Sequence, residues 1–453
     1  MNHILVNIIA VAVVLGVVVF VHEAGHFVAA KIFGVRVETF SLGFGTRLLG
    51  VRHGGTDYRI SLLPLGGYVR MAGENPMDQP SGHPDELLSK PRWQRFIIAL
   101  AGPLMNGVLA VLLLVPIYMR EFPHNPVLDA PAVVAEVQPK SAAAIAGIKP
   151  EDRIAAIAGK QNPDWETVFL QSAISIGHAL PMTLDRGGKV IHTEITPVSS
   201  DPNVPPDLGI APVEATRFDT IEAGSPAQRA GMLPGDRILA VNGTKVLDPG
   251  TLIDDVQKAE PSLTGTALGS TGHPVQIEVE RGQQRRMVAV TPKLEENQGQ
   301  RQWMIGASFE NNTTSVRLPF SQALHQSLED NKVYSEVILS LVGKLVSRQA
   351  SIKTLQSPVG IASMTGQAAR AATLLPLFSL TSLISLNLGI LNLLPIPMLD
   401  GGMILFLLIE SLLRHDISLR VKERIYQAGF AFLLVLMTVV VYNDIVRAVV
   451  VRN

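Results

Sequence analysis

Residues 4–21, ILVNIIAVAVVLGVVVFV, carry no charge and run directly into HEAGH at residues 22–26. No other feature constrains the fold as strongly. A helix needs about 20 apolar residues to cross a hydrocarbon core, so this run with its neighbours predicts a membrane span. The stretch before it, MNH, lacks Lys and Arg, and the run exceeds the ~7–15 residues of a leader peptide's apolar part. It is therefore read as a retained helix. Residues 96–119, 371–399 and 425–443 are also free of charge and long enough to span. Composition agrees, because charged residues make up 17% of the chain against about 25% in soluble proteins. A formal net charge of −1 offers no basic face to nucleic acid. The absence of cysteine excludes disulfides, thiolate metal sites and cysteine nucleophiles.

Basic residues then orient the spans. Lys31, Arg36, Arg47, Arg52, Arg59, Arg70, Lys90, Arg92 and Arg95 lie between the first and second spans. Arg414, Arg420, Lys422 and Arg424 follow the third. Positive loops stay in the cytoplasm, so both termini and the long region between spans two and three are expected on the opposite side.

That long region contains a repeat. SAAAIAGIKPEDRI at residues 141–154 aligns without a gap with SPAQRAGMLPGDRI at residues 225–238. Self-similarity at this scale predicts two copies of one small domain. Each copy reads as a short helix stopped by glycine, then a proline-containing turn into a strand such as RILAVNG. After the repeats, Phe320, Ala323, Leu324 and Leu328 share one helical face. Tyr334, Val337, Ile338, Leu341, Val342 and Leu345 continue the spacing, which predicts amphipathic helices on the membrane or packed on the bundle.

The chemistry resides on two spans. On a helix, His22 and His26 share a face and can reach one Zn²⁺. Glu23 then stands where a general base is needed. Two buried histidines can instead bond neighbouring helices, but ionisable groups inside a span are costly and usually functional. A catalytic zinc takes a third protein ligand. Asp400 is the first candidate, in LNLLPIPMLDGG at residues 391–402. Pro395 and Pro397 forbid a regular helix there, Gly401 and Gly402 permit tight backbone, and broken helix at membrane depth lines a cavity or is buried in protein. Glu410 is the rival. Between the first two spans, VRVETFSLGFGTRLLG and TDYRISLLPLGGYVRM alternate around glycine-rich turns and read as strands of a small sheet. Its stretch 37–41 is the expected docking edge for an unwound substrate, with an ordinary cytoplasmic hairpin as the other reading.

GSPAQRAGMLPGDRILAVNG resembles the PDZ domains of bacterial envelope proteases, which accept peptide C-termini by strand addition. Spacers or size filters are the other reading of these copies. With HEAGH ending the first span and NLLPIPMLDGG late in the chain, the whole resembles the site-2 protease family. The resemblance implies a multi-pass α-helical membrane protein with four transmembrane helices, a membrane-associated β-loop and two tandem α+β PDZ domains. The regions expected are 1–34, the first span with HEAGH; 35–94, the re-entrant β-loop; 95–120, the second span; 128–215 and 216–313, the PDZ domains; 314–370, amphipathic helices; 371–411, the third span; and 425–447, the fourth. It implies one Zn²⁺ per chain, held by His22, His26 and Asp400, with Glu23 as base. It assigns substrate handling to Gly43, Phe44 and Gly45 and to Asn387, Asn392, Pro395 and Pro397. The implied activity is endoproteolysis of single-span membrane proteins within the bacterial inner membrane, the substrates being an anti-sigma factor of envelope stress and remnant signal peptides. The alternative class is a non-catalytic membrane scaffold whose PDZ domains bind exposed C-termini. An intact Glu23 speaks against it, since a pure binder has no use for a base.

Overall fold

The structure, a computed structural model, describes residues 3–74, 82–120, 122–197, 208–258, 270–297, 300–310, 312–347, 358–371 and 373–450. The remaining parts of the predicted regions lie outside the described residues. Along the chain the helices are α1 (His3–Ile32), α2 (Arg92–Met119), α3 (Ala142–Ile145), α4 (Trp165–Ala173), α5 (Pro226–Arg229), α6 (Pro249–Gln257), α7 (Phe320–Val346), α8 (Pro358–Ala369), α9 (Leu375–Asn392), α10 (Asp400–Leu413) and α11 (Leu419–Val450). The chain divides into two compact units: Met1–Phe122 with Val316–Val346 and Ile352–Asn453, and Pro123–Ser315 with Ser347–Ser351.

In the first unit, α1, α2 and α9 are each long and apolar enough to cross a membrane. The fourth predicted segment falls within α11, several of whose side chains lie outside the described residues. α2 packs against α1, α7, α9 and α10. Where lipid surrounds a bundle, helices gain little by burying apolar surface, and small residues and hydroxyls carry the packing. The side chains follow that rule. Ser385 and Ser382 of α9 donate to the carbonyls of Asn106 and Ala110, each at 2.8 Å. Ser327 of α7 donates to the carbonyl of Val111, also at 2.8 Å.

The same rule describes α7, expected as an amphipathic helix on the membrane or packed on the bundle. Of the predicted apolar face, Ala323 is buried, while Phe320 and Leu328 are 58% and 50% exposed. The face packed inward is Ala323, Ser327 and Asn331, at the same four-residue spacing. Apolar periodicity marks the buried face in water; here the small and polar residues face the protein.

The third predicted span is two helices joined by a bend. α9 ends at Asn392, and Pro395 and Pro397 supply no N–H to continue it. Met398 adopts φ 80°, a left-handed conformation that side chains other than glycine rarely take. α10 then begins at Asp400. A Cβ on Gly401 would lie 2.3 Å from the Leu393 and Leu394 carbonyl oxygens, and one on Gly402 2.4 Å from that of Ile396. The double glycine lets α10 start directly against the bend.

Strands Val37–His53 and Thr56–Met71 form more than a hairpin. Residues 39–42 pair with 67–70 on one side and with 57–60 on the other, and residues 47–53 pair with 56–61. The result is four segments in the order 67–71, 37–42, 56–61, 47–53, the two outer pairings antiparallel and the central one, in which residues 39–42 meet 57–60 with numbers rising together, parallel. Stretch 37–41, expected to be a docking edge, is central. The open edges belong to 67–71 and 47–53.

The second unit contains the repeat as two domains of one topology. In the first copy the strand order is Lys160–Gln161, Arg153–Ile157, Leu180–Arg186, Lys189–Ile195; in the second it is Thr244–Lys245, Arg237–Val241, Val275–Arg281, Gln284–Val290. Ser141 caps α3 and Ser225 caps α5 by accepting from the amides of Ala144 and Gln228. Buried Trp165 and Trp303 anchor the two cores. The aspartates shared by the repeats have equivalent partners: Arg186 donates to Asp152 at 2.6 and 2.7 Å, and Arg281 to Asp236 at 2.7 Å twice. Burial alone would push both carboxyls up, but the guanidinium groups outweigh it and hold them below the usual carboxylate range.

Glu136 behaves in the opposite way. Burial first, then the facing Asp248 and nearby Asp254, push its carboxyl up to about 7. The folded chain therefore holds a proton there that the unfolded chain loses near 4.5. Its contribution to stability falls as pH rises through that window and levels off above about 7. Denaturation followed through tryptophan fluorescence should show this slope, and Glu136→Gln should flatten it. An unchanged slope in the variant would assign it to other groups.

Candidate metal centre

His22 and His26 lie one helical turn apart on α1, and Asp400 opens α10 opposite them. His22 Nε2 is 3.0 Å from Asp400 Oδ2, and His26 Nε2 is 3.4 Å from Asp400 Oδ1. The two Nε2 atoms are 3.2 Å apart. Ligands about 2.05 Å from a common tetrahedral centre sit about 3.3 Å from one another, so these separations fit a single Zn²⁺. Among the described residues this is the one group of three or more His, Cys, Asp or Glu side chains placed to hold a metal. Both histidines are buried, at 5% and 7% exposure. Asp400, in the first turn of α10, also benefits from the positive end of the helix dipole.

Backbone supports the cluster from α2. The Ile98 carbonyl lies 2.7 Å from His26 Nδ1. A carbonyl only accepts, so Nδ1 donates and Nε2 presents its lone pair to the cluster. A Cβ on Gly102 would lie 2.3 Å from His26 Nε2 and 2.8 Å from His22 Nε2. Glycine leaves that space open. Gly25 lets α1 approach closely enough, since a Cβ there would meet the Ala101 oxygen at 2.3 Å.

The other predicted residues are distributed around this centre. Glu23 Oε2 accepts a 3.0 Å hydrogen bond from the Val69 amide on the open edge 67–71. Asn392 Nδ2 lies 3.3 Å from His22 Nε2. Asn387 is half-buried on α9, Pro395 is exposed, and Pro397 lies against Gly429 of α11. Gly43 and Gly45, at φ 90° and 86°, turn a corner of the sheet, and Phe44 stacks on Tyr68. Glu410 is engaged elsewhere: it is 1% exposed, pairs with Lys422 Nζ at 2.7 Å and accepts from the Ile417 amide. Of the two carboxylates proposed from sequence, Asp400 is the one beside the histidines. Four contributors escaped the sequence reading: Asn106, Gly102, the Ile98 carbonyl and the Val69 amide. Asn106 had a visible signal, as an amide inside a charge-free span.

Apolar helices of membrane length around a buried His₂–Asp cluster define a membrane metalloprotein. Comparison with known families makes this specific: the model of peptidase family M50 matches residues 10–436, and the chain belongs to that family. It is similar to the regulator of sigma-E protease RseP of Salmonella typhimurium, 33% identical over 470 residues covering 99% of this chain and 100% of that one. The Escherichia coli regulator of sigma-E protease RseP is 32% identical over 459 residues, 96% of this chain and 97% of its own. The protease RseP of Yersinia pestis is 32% identical over 479 residues, 99% of this chain and 100% of its own. The protein is a protease of this family.

Proposed function

We propose that this protein is an intramembrane zinc endopeptidase of the site-2 type, which cuts single-span proteins within the bacterial inner membrane. The observation that carries the reading is the convergence of His22, His26 and Asp400 at ligand spacing on helices of membrane length. Bound by these residues, zinc supplies Lewis acidity and makes water a nucleophile near neutral pH. Glu23 is placed to serve as the base that would hold the attacking water's proton and pass it to the leaving amine. The amide of Asn392 donates to the oxyanion as it develops.

A substrate span arrives as a helix with its carbonyls already bonded, so it must unwind before attack. Edge 67–71 suits the unwound strand, because its Val69 amide points out of the sheet and toward Glu23. Apolar Leu48, Leu49, Val51, Leu62 and Leu63 are all more than half exposed, as suits a sheet dipped into lipid. Gly43, Phe44 and Gly45 shape its corner, and we assign Asn387, Pro395 and Pro397 to substrate handling from the family resemblance. Val69→Pro deletes the outward N–H while sparing the ladder, which tolerates proline on an edge. It should lower cleavage roughly 10- to 100-fold, the worth of a hydrogen bond to a charged group, with metal content unchanged. Wild-type cleavage by the variant would remove this edge from the account.

We read the repeated domains as PDZ domains on the exported side, which receive peptide C-termini or screen substrates by size. The relatives are named for regulating sigma-E; from the family resemblance we take an anti-sigma factor of envelope stress as the substrate, with remnant signal peptides a further class. Treatment with a zinc chelator should stop cleavage of a reporter span, and added Zn²⁺ should restore it. Cleavage that persists without metal contradicts the reading.

A further inference from the structure

We propose that Asn106 is the positioning residue of the metal centre, its side-chain oxygen accepting the Nδ1 proton of His22 so that Nε2 is held bare for the metal. The inference rests on the zinc reading above. To bind a metal through Nε2, a neutral imidazole must carry its proton on Nδ1, and that proton needs an acceptor. His26 has one in the Ile98 carbonyl at 2.7 Å. The neighbour of His22 Nδ1 is the side chain of Asn106, whose nitrogen Nδ2 lies 3.2 Å away.

Asn106 is 0% exposed, and its Oδ1 has no hydrogen-bond partner. The acceptor His22 requires is therefore present, uncommitted, on the other arm of the same amide. A half-turn of the amide exchanges oxygen and nitrogen with the outline of the side chain unchanged. With the nitrogen toward His22, Nδ1 must accept, and the imidazole proton sits on Nε2, pointing at Asp400 and His26 where the metal would go. With the oxygen toward His22, both histidines offer lone pairs to one point. The backbone of Asn106 is fixed independently, its carbonyl accepting from Ser385.

The test uses the full-length protein and Zn²⁺ alone, with affinity measured by chelator competition. Asn106→Leu, of similar shape, should weaken zinc binding about 10- to 100-fold. Asn106→Asp keeps an acceptor and should bind close to wild type. Leucine binding as tightly as wild type, or aspartate falling as far as leucine, overturns the inference while leaving the zinc reading intact. A wild type that binds no zinc overturns both. Should Asn106→Leu fail to fold, ¹⁵N spectra of histidine-labelled, metal-free wild type decide the matter: a proton on Nδ1 of His22 supports the assignment, and a proton on Nε2 contradicts it.

Discussion

Glu23→Gln should reduce cleavage of a reporter span about 10²- to 10⁴-fold, the usual worth of a positioned general base. Zinc content should stay at the wild-type level. The two outcomes separate because Gln keeps the shape of Glu and still offers an oxygen to the Val69 amide, which now donates to Glu23 at 3.0 Å. What it loses is the ability to take a proton. The ligand atoms belong to His22, His26 and Asp400, so the donor set is untouched. The measurement pairs initial cleavage rates in proteoliposomes with metal analysis of the same preparations. A variant cleaving at the wild-type rate would remove Glu23 from the role of general base.

Asp400→Ala should reduce zinc affinity by more than about 100-fold. Loss of an outer-shell partner already costs about 10- to 100-fold, and Asp400 stands within 3.0 and 3.4 Å of both histidine Nε2 atoms. Glu410→Gln is the matched control. Glu410 is buried against Lys422, and removing one partner of such a pair costs about 3–5 kcal/mol by leaving the other charge unpaired. This variant should unfold more readily yet hold zinc in its folded fraction. Metal analysis together with thermal unfolding reads both effects. The reverse pattern, zinc lost with Glu410 and kept with Asp400, would transfer the third ligand to α10's other carboxylate.

Much of the site was legible because its devices are local. The four-residue spacing of His22 and His26 needs only the helical repeat, and the proline and glycine residues around Asp400 announce a break wherever they occur. That break already ranked Asp400 ahead of Glu410, but what occupies Glu410 was not local. It depended on Lys422 reaching back from α11, a pairing no spacing rule contains. The sheet shows the same limit. Alternation identified its strands, but the chain doubles back and places 37–42 between two partners, so the docking edge lies at 67–71. On α7 the apolar spacing identified the helix, but not that Ser327 and Asn331 are buried beside Ala323 while Phe320 and Leu328 are exposed. In the second unit, Asp152 and Asp236 were visible as repeat positions. Their partners Arg186 and Arg281 come from strands beyond the matched segment.

The central claim is that peptide bonds are cut inside a membrane span by the centre that His22, His26, Asp400 and Glu23 form. Mass spectrometry of products from a single-span reporter, reconstituted in liposomes with wild type or Glu23→Gln, tests it most directly. The account predicts new termini within the apolar segment of the reporter for wild type and none for the variant. Termini confined to the aqueous flanks, or the same termini from both proteins, would contradict it.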